Sequence, residues 1–302
     1  MLVNNQADVA ASVQTTGFFY SELEDPANAA PAWLPQIFKF LLSSTRNDVL
    51  GFTKGFPLMR EWVGERRVRD LSRYTINVGV RNWELTAGLS ADDIFYETFG
   101  NLADEVRGIA RAVPLHFIQY LVDLLQAGDS TLSYDGQYFF DTDHPNGTGS
   151  TYSNKSTNVF SVAEWQAAQL AAATIKNDDN GKPLGIDYNW IFYAPGAQVA
   201  VDTVFGQQRL TSGADNIYFN AIPPERRVKL KQLGTRQDWF LFDLSHISKP
   251  FVLKLVKGLN YQAFDKDSDY VKFSTNKIVF GIDTKDEAQY MLPELAYAGL
   301  HS

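Results

Sequence analysis

The chain has no cysteine among its 302 residues, which removes disulfides, thiolate metal sites and a cysteine nucleophile together. Histidine is nearly as scarce, with four residues at 116, 144, 246 and 301, so a three-histidine metal centre would consume almost all of them. No run approaches the ~20 apolar residues of a membrane-spanning helix. The N-terminus, MLVNNQADVAASVQTTGFF, lacks the basic start and continuous apolar segment of a secretory signal. A cytoplasmic life is the simplest reading. Basic charge is in deficit too: 27 Lys and Arg stand against 35 Asp and Glu, for a formal net charge of −8. Nucleic-acid binding draws its affinity from Lys and Arg replacing counterions on phosphate, so gripping nucleic acid is not the main task of this chain. Catalytic signatures are missing as well. Gly147 and Gly149 are followed by Tyr152 where a dinucleotide fingerprint needs a third glycine. There is no GxSxG elbow and no HExxH.

What is present is an ordinary core-forming composition, 45% hydrophobic and 21% charged, on a chain long enough to bury roughly three quarters of its unfolded surface. Residues 1–30 show neither a helical nor a strand period and read as an extended arm. Its aromatics Phe18, Phe19 and Tyr20 need cover, either from the arm's own domain or from a neighbouring subunit. The segment PAWLPQIFKFLLSS (31–44) is compatible with a short helix. Tyr74, Ile76, Val78 and Val80 alternate with small or polar residues, and so do Trp83, Leu85, Ala87 and Leu89. This predicts two strands that reverse near Gly79–Asn82 and pair as a hairpin, with a second reversal near Leu71–Arg73 left open as the tip. An isolated hairpin is marginal in water, so this one is expected to lean on another surface. The cluster Arg66, Arg67, Arg69 and Asp70, beside Glu61 and Glu65, mixes signs and suits inter-strand or inter-subunit ion pairing. Trp83 and Glu84 are further candidates for contact between subunits.

Spacings of three and four from Phe99 to Val113 predict a helix over 96–113. Pro114 is expected to end or kink it and to start a second helix closed by Gly128. Ser161 and Glu164 form a capping box for a helix to about Ile175. Strands are expected at YNWIFYAP, NIYFNAI, RRVKLKQL, WFLFDL, PFVLKLV and NKIVFGI. Strands and helices mix without strict alternation, which favours an α+β fold.

The stretch most suggestive of chemistry is YDGQYFFDTDHP, residues 134–145. As a calcium loop starting at Asp141 it fails: Pro145 occupies the fifth position, Asn146 replaces the turn glycine and Tyr152 stands where a bidentate Glu is required. A hydrolase built on Asp141, Asp143 and His144 stays open, since partners can come from elsewhere in the fold. The favoured reading is structural: Tyr134, Tyr138, Phe139 and Phe140 pack, while Asp135, Gly136 and Asp141 to Pro145 shape turns.

Three stretches together resemble the major head subunit family of Mu-like bacteriophages and prophages: GFPLMREWVGERRVRDLS at 55–72, the motif at 134–145, and WFLFDLSHISKPFVLK at 239–254. The resemblance runs from about residue 30 to the end. It is weakest in DTKDEAQYMLPELAYAGL, where Pro293 interrupts any continuous ladder. It implies the Hong Kong 97-type capsid fold. The parts would be an N-terminal arm (1–30), a short helix and connection (31–57), an extended hairpin called the E-loop (58–92), a peripheral domain with a spine helix (93–129), an axial domain (130–248), and return strands of the peripheral domain (249–302). It also implies a structural protein, not an enzyme, with no cofactor and no metal, and with the virion capsid as its destination after assembly in the bacterial cytoplasm. Its partners would be copies of itself in pentamers and hexamers, a separate scaffolding protein, a portal protein at one vertex, decoration or minor capsid proteins, and non-specifically contacted double-stranded DNA. Some relatives carry an N-terminal scaffolding segment that is cut away; with only residues 1–57 ahead of the hairpin, this chain is expected not to be processed at its N-terminus, scaffolding being supplied by a separate protein. A cellular nanocompartment shell of the same fold is the alternative.

Overall fold

The computed structural model describes residues 19, 21, 22, 24, 30–54, 73–90, 99–147, 149–176, 181–209, 213–264 and 274–301. The described elements begin with α1 (Leu34–Ile37), β1 (Phe38–Leu42), β2 (Asp48–Phe52), β3 (Tyr74–Val78), β4 (Arg81–Ser90) and the long helix α2 (Phe99–Ala127). Three two-residue strands follow, β5 (His144–Pro145), β6 (Thr151–Tyr152) and β7 (Lys155–Ser156), and then α3 (Val162–Thr174) and β8 (Trp190–Tyr193). The short α4 (Gln198–Val201) and β9 (Arg227–Lys229) lead to β10 (Trp239–Phe242), β11 (Phe251–Phe264), β12 (Lys277–Tyr290) and β13 (Ala296–Gly299).

Two sheets carry the molecule. The first has the order β1-β11-β12-β4 and the second β7-β13-β10-β8-β9, while among the described residues β2 and β3 pair only with each other. In the second sheet β10 reads WFLF and all four residues are buried, because alternate side chains fill opposite cores. Trp239 and Leu241 join Trp165 and Phe205 on the α3 side; Phe240 and Phe242 join Phe139, Phe140 and Leu125 on the other. The neighbouring β13 makes room with small residues, and a Cβ on Gly299 would lie 2.0 Å from the Trp239 ring. β11 and β12 lie in the four-stranded sheet, and β13 lies in the five-stranded one.

Four sequence expectations change. α2 is one helix rather than two. Its apolar stripe, Val106, Ile109, Ala110 and Val113, then Tyr120, Leu121, Leu124 and Leu125, keeps the i, i+3, i+4 phase across Pro114 and lies along one sheet. An interior proline costs about 3 kcal/mol, and fully burying even two or three such side chains at about 1.5–3 kcal/mol each outweighs it. The segment 31–44 gives only a four-residue helix, and Phe38–Leu42 instead runs parallel to β11, with Phe38 opposite Phe251. NIYFNAI is a turn. The buried Asn216 amide donates to the carbonyls of Val204 and Gln207 at 2.9 and 2.8 Å and holds Ile217 out in solvent.

The fourth change is the hairpin. β3 pairs with β2, Asp48 opposite Val78 and Phe52 opposite Tyr74, whereas β4 pairs with β12, Leu85 opposite Ile282. The two alternating runs do not pair with one another because their buried faces belong to different cores: Ile76 and Val78 face the α3 core, while Trp83 and Ala87 face α2. The hairpin base is therefore 48–54 with 73–78.

Candidate functional site

The 134–145 motif lies where the end of α2, the hairpin base and the turn before β13 converge. Gly128 lets α2 stop against it: a Cβ there would meet the Phe140 ring at 2.5 Å, and Phe140 N donates to Gly128 O at 2.8 Å. Phe139 and Phe140 are completely buried, and Phe139 packs on Tyr290 and Phe251 at centroid distances of 4.6 and 5.2 Å. Gly136 takes φ 86°, the left-handed region that glycine enters without strain.

The acids of the motif divide. Asp141 caps its own turn, accepting from Thr142 N at 2.8 Å and Tyr138 N at 3.2 Å. Asp143 is exposed. His144 pairs with neither of them but with Asp135, Nδ1 to Oδ2 at 2.7 Å, the side chains being 0% and 5% exposed. The imidazole also stacks on Tyr152 at 4.9 Å. The hydrolase arrangement of Asp141, Asp143 and His144 is therefore not formed: the histidine is sealed, and its acid is the one nine residues earlier. The loop beyond is held by Asn154, wholly buried, which donates to the carbonyls of Phe139 and Pro293 and accepts from Asp141 N.

Tyr134 faces the hairpin. Its ring contacts Tyr74 and Phe52 at 4.8 and 5.2 Å, and its hydroxyl donates to Glu294 Oε1 at 2.5 Å. Burial, with the Glu294 carboxylate beside it, pushes this phenol well above its ordinary value, so it remains a donor. Glu294 Oε1 also takes the ammonium of Lys54 at 2.9 Å. Proline at 145 closes the motif in the two-residue pairing with Thr151.

The remaining candidates scatter. Phe19 is buried in its own subunit, stacked on Tyr261 at 4.5 Å among Val106, Ile109 and Ala110. Glu22 pairs with Arg107, and residues 19, 21, 22 and 24 are helical, not extended. Phe18, Tyr20, Arg66, Arg67, Arg69 and Asp70 lie outside the described residues. Trp83 turns inward, with His116 and Tyr120 at 5.1 and 5.7 Å and the Arg81 guanidinium 4.9 Å from its ring. Glu84 is exposed and accepts from Thr86 Oγ1 at 2.5 Å. His116, a satisfied helix residue, contacts Asp286 at 3.0 Å, and the buried Asp286 also accepts from Tyr120 and Thr284.

Sequence reading missed Lys54, Glu294, Lys254 and Asp48. The signal was faint but present: Lys254 interrupts the apolar run PFVLKLV, and Glu294 interrupts MLPEL.

Comparison with known proteins decides the family. A family model, described as Mu-like prophage major head subunit gpT, matches residues 14–168 and 224–301, more than half of the chain. The chain belongs to this family. Over 137 residues it is 32% identical to the major capsid protein of Escherichia phage Mu, covering 44% of each. Over 156 residues it is 26% identical to the Mu-like prophage FluMu major head subunit of Haemophilus influenzae, covering 49% of this chain and 51% of that one. The aligned stretches thus span about half the length of these relatives. Among solved structures, the procapsid of bacteriophage JBD30 superposes with a TM-score of 0.58 at 20% identity, covering 97% of this chain and 76% of the other. The capsid of the same phage decorated with minor capsid protein trimers gives 0.54 at 18%, covering 92% and 67%. The α+β fold is accordingly that of phage capsid proteins, as the motifs at 55–72, 134–145 and 239–254 had indicated.

Proposed function

We propose that this head-subunit family member is the major capsid protein of a Mu-like tailed phage, assembling into pentamers and hexamers that close an icosahedral head around double-stranded DNA. The observation that carries this reading is the superposition of almost the whole chain on a procapsid subunit, joined to family membership over both halves of the sequence. The geometry supports a building block over a catalyst. The buried Asp135–His144 pair is closed to solvent, and its neighbours are packing aromatics. A two-stranded hairpin base set apart from the two larger sheets suits a shell subunit that lies on its neighbours, because heterologous contacts that close by symmetry build a large assembly without enlarging the core. A net charge of −8 suits an inner wall that holds DNA without binding it tightly.

On this reading the partners are a separate scaffolding protein during assembly, a portal at one vertex, and decoration or minor capsid proteins outside. The arm, the cluster Arg66, Arg67, Arg69 and Asp70, and Glu84 serve contacts between subunits. Electron microscopy of the purified full chain tests the proposal. Uniform closed shells are expected, and a monomer that persists at every concentration overturns it. Shells that enclose a protein cargo in their native host would assign the chain to a nanocompartment instead.

A further inference from the structure

Two buried lysines join the β2–β3 hairpin base to the rest of the subunit, and they run in opposite directions. Lys54, at the end of the outgoing strand, reaches from the hairpin into the body. Its Nζ is 2.9 Å from Glu294 Oε1, with side-chain exposures of 6% and 1%, and 5.2 and 5.4 Å from the ring centroids of Tyr74 and Tyr134. Lys254, in β11, reaches from the body into the hairpin. Its side chain is wholly buried, and its Nζ lies 2.9 Å from Asp48 Oδ2 and donates to the carbonyls of Val78 and Arg46 at 3.1 and 3.2 Å. Glu294 belongs to the turn entering β13, and Lys254 to the four-stranded sheet. Each lysine therefore ties the same hairpin to a different sheet.

Stability alone does not account for this choice. Stripping water from an ammonium and a carboxylate costs several kcal/mol, and well-packed apolar residues often do as well or better in the same space. What charge-assisted hydrogen bonds add is direction, since they fix distance and angle where apolar contacts can slide. Direction matters at the base of a lever. Each five-residue strand of the base spans roughly 17 Å, so a tilt of about 10° moves its far end by roughly 3 Å. That error is larger than an interface between subunits tolerates.

We propose that Lys54–Glu294 and Lys254–Asp48 are positioning pairs for shell assembly: together they set the angle at which the β2–β3 hairpin base sits on the subunit, and through it the geometry of the shell, while contributing little to holding the subunit together. The inference rests on the head-subunit reading above.

The test uses full-length chain carrying Lys54→Met with Glu294→Gln, or Lys254→Met with Asp48→Asn, so that no buried charge is left alone. Each variant is followed by thermal melting of the dissociated subunit and by electron microscopy of assembled particles. The expected result is a subunit melting temperature close to wild type, with at least about tenfold fewer particles of wild-type diameter, since many weak contacts must engage together. Single Lys54→Met, which leaves the buried Glu294 carboxylate without its cation and, among the described residues, with only the Tyr134 hydroxyl, should lose melting temperature as well. Either double variant giving shells of wild-type yield and diameter overturns the proposal. So does melting that falls in step with assembly, because the pairs would then be holding the subunit together. Failure of the wild-type chain itself to form shells would refute the head-subunit reading and is told apart by that control.

Discussion

The buried acid–base pair in the 134–145 motif stands at the residue scale as a structural element with a measurable weight. His144→Ala leaves Asp135 sealed without its partner, and breaking a buried pair from one side typically costs about 3–5 kcal/mol; Asp143→Ala, at an exposed position, should stay within about 0.5 kcal/mol. Denaturant unfolding of the two variants checks the contrast, and equal effects would remove the special role given to the pair. Sequence reading recognised this stretch but chose the wrong acids. Asp141 and Asp143 are nearest in sequence, yet the turn at Gly136 brings Asp135 back across nine residues, and only the folded loop shows that. Asp48 provides a second residue-scale test. Hydrogen bonds from Lys254 above all, then from Ser43 and Thr45, hold its carboxyl down at about 2 from an ordinary 3.8. A depressed folded value means that its contribution is complete above pH 3.8 and fades as pH falls through 2. The stability difference between wild type and Asp48→Asn should therefore shrink as pH is lowered from about 4 to about 2, read as melting temperature against pH.

At the scale of elements, α2 shows what periodicity can and cannot reveal. Its apolar phase was legible on both sides of Pro114, and the residue rule for proline broke it into two. Local propensity lost to a continuous sheet-facing stripe. Pro114→Ala should restore the hydrogen bond to the Ala110 carbonyl and raise subunit stability by up to about 3 kcal/mol. Thermal unfolding measures this, and a fall would show that the proline's shape is required by the packing beneath it. The same contrast separates the strands. WFLFDL, PFVLKLV and NKIVFGI were readable because their alternation or continuous apolarity matches the faces they bury. The pairing of β2 with β3 was not readable, because DVLGF alternates weakly and its partner lies 26 residues downstream in the register Asp48 to Val78, Phe52 to Tyr74. Alternation in 74–89 named the strands correctly, but it carries no information about which core each strand faces, and that decided the pairing.

On the scale of the whole molecule, the N-terminal arm contains a part that serves its own subunit. Two covers are open to its aromatics, their own domain or a neighbouring subunit, and truncating residues 1–30 spares the fold only under the second. Phe19 takes the first: it is fully buried on Tyr261 and against α2, and Glu22 holds Arg107. Losing a buried phenylalanine typically costs about 3–5 kcal/mol, a large share of the roughly 5–15 kcal/mol that holds a domain folded. Removing 1–30 should therefore lower both subunit melting and assembly. A cut after residue 18 keeps Phe19 and Glu22 in place, so its subunit should melt within a few degrees of the full chain, corresponding to a loss below about 1 kcal/mol, while shells form slowly or remain open. Light scattering during assembly, with melting of the dissociated subunit measured on the same preparations, separates the two effects. Assembly of the shorter truncation at the full-chain rate would show that the first eighteen residues make no contact on which the shell depends, and would leave the hairpin as the element that links subunits.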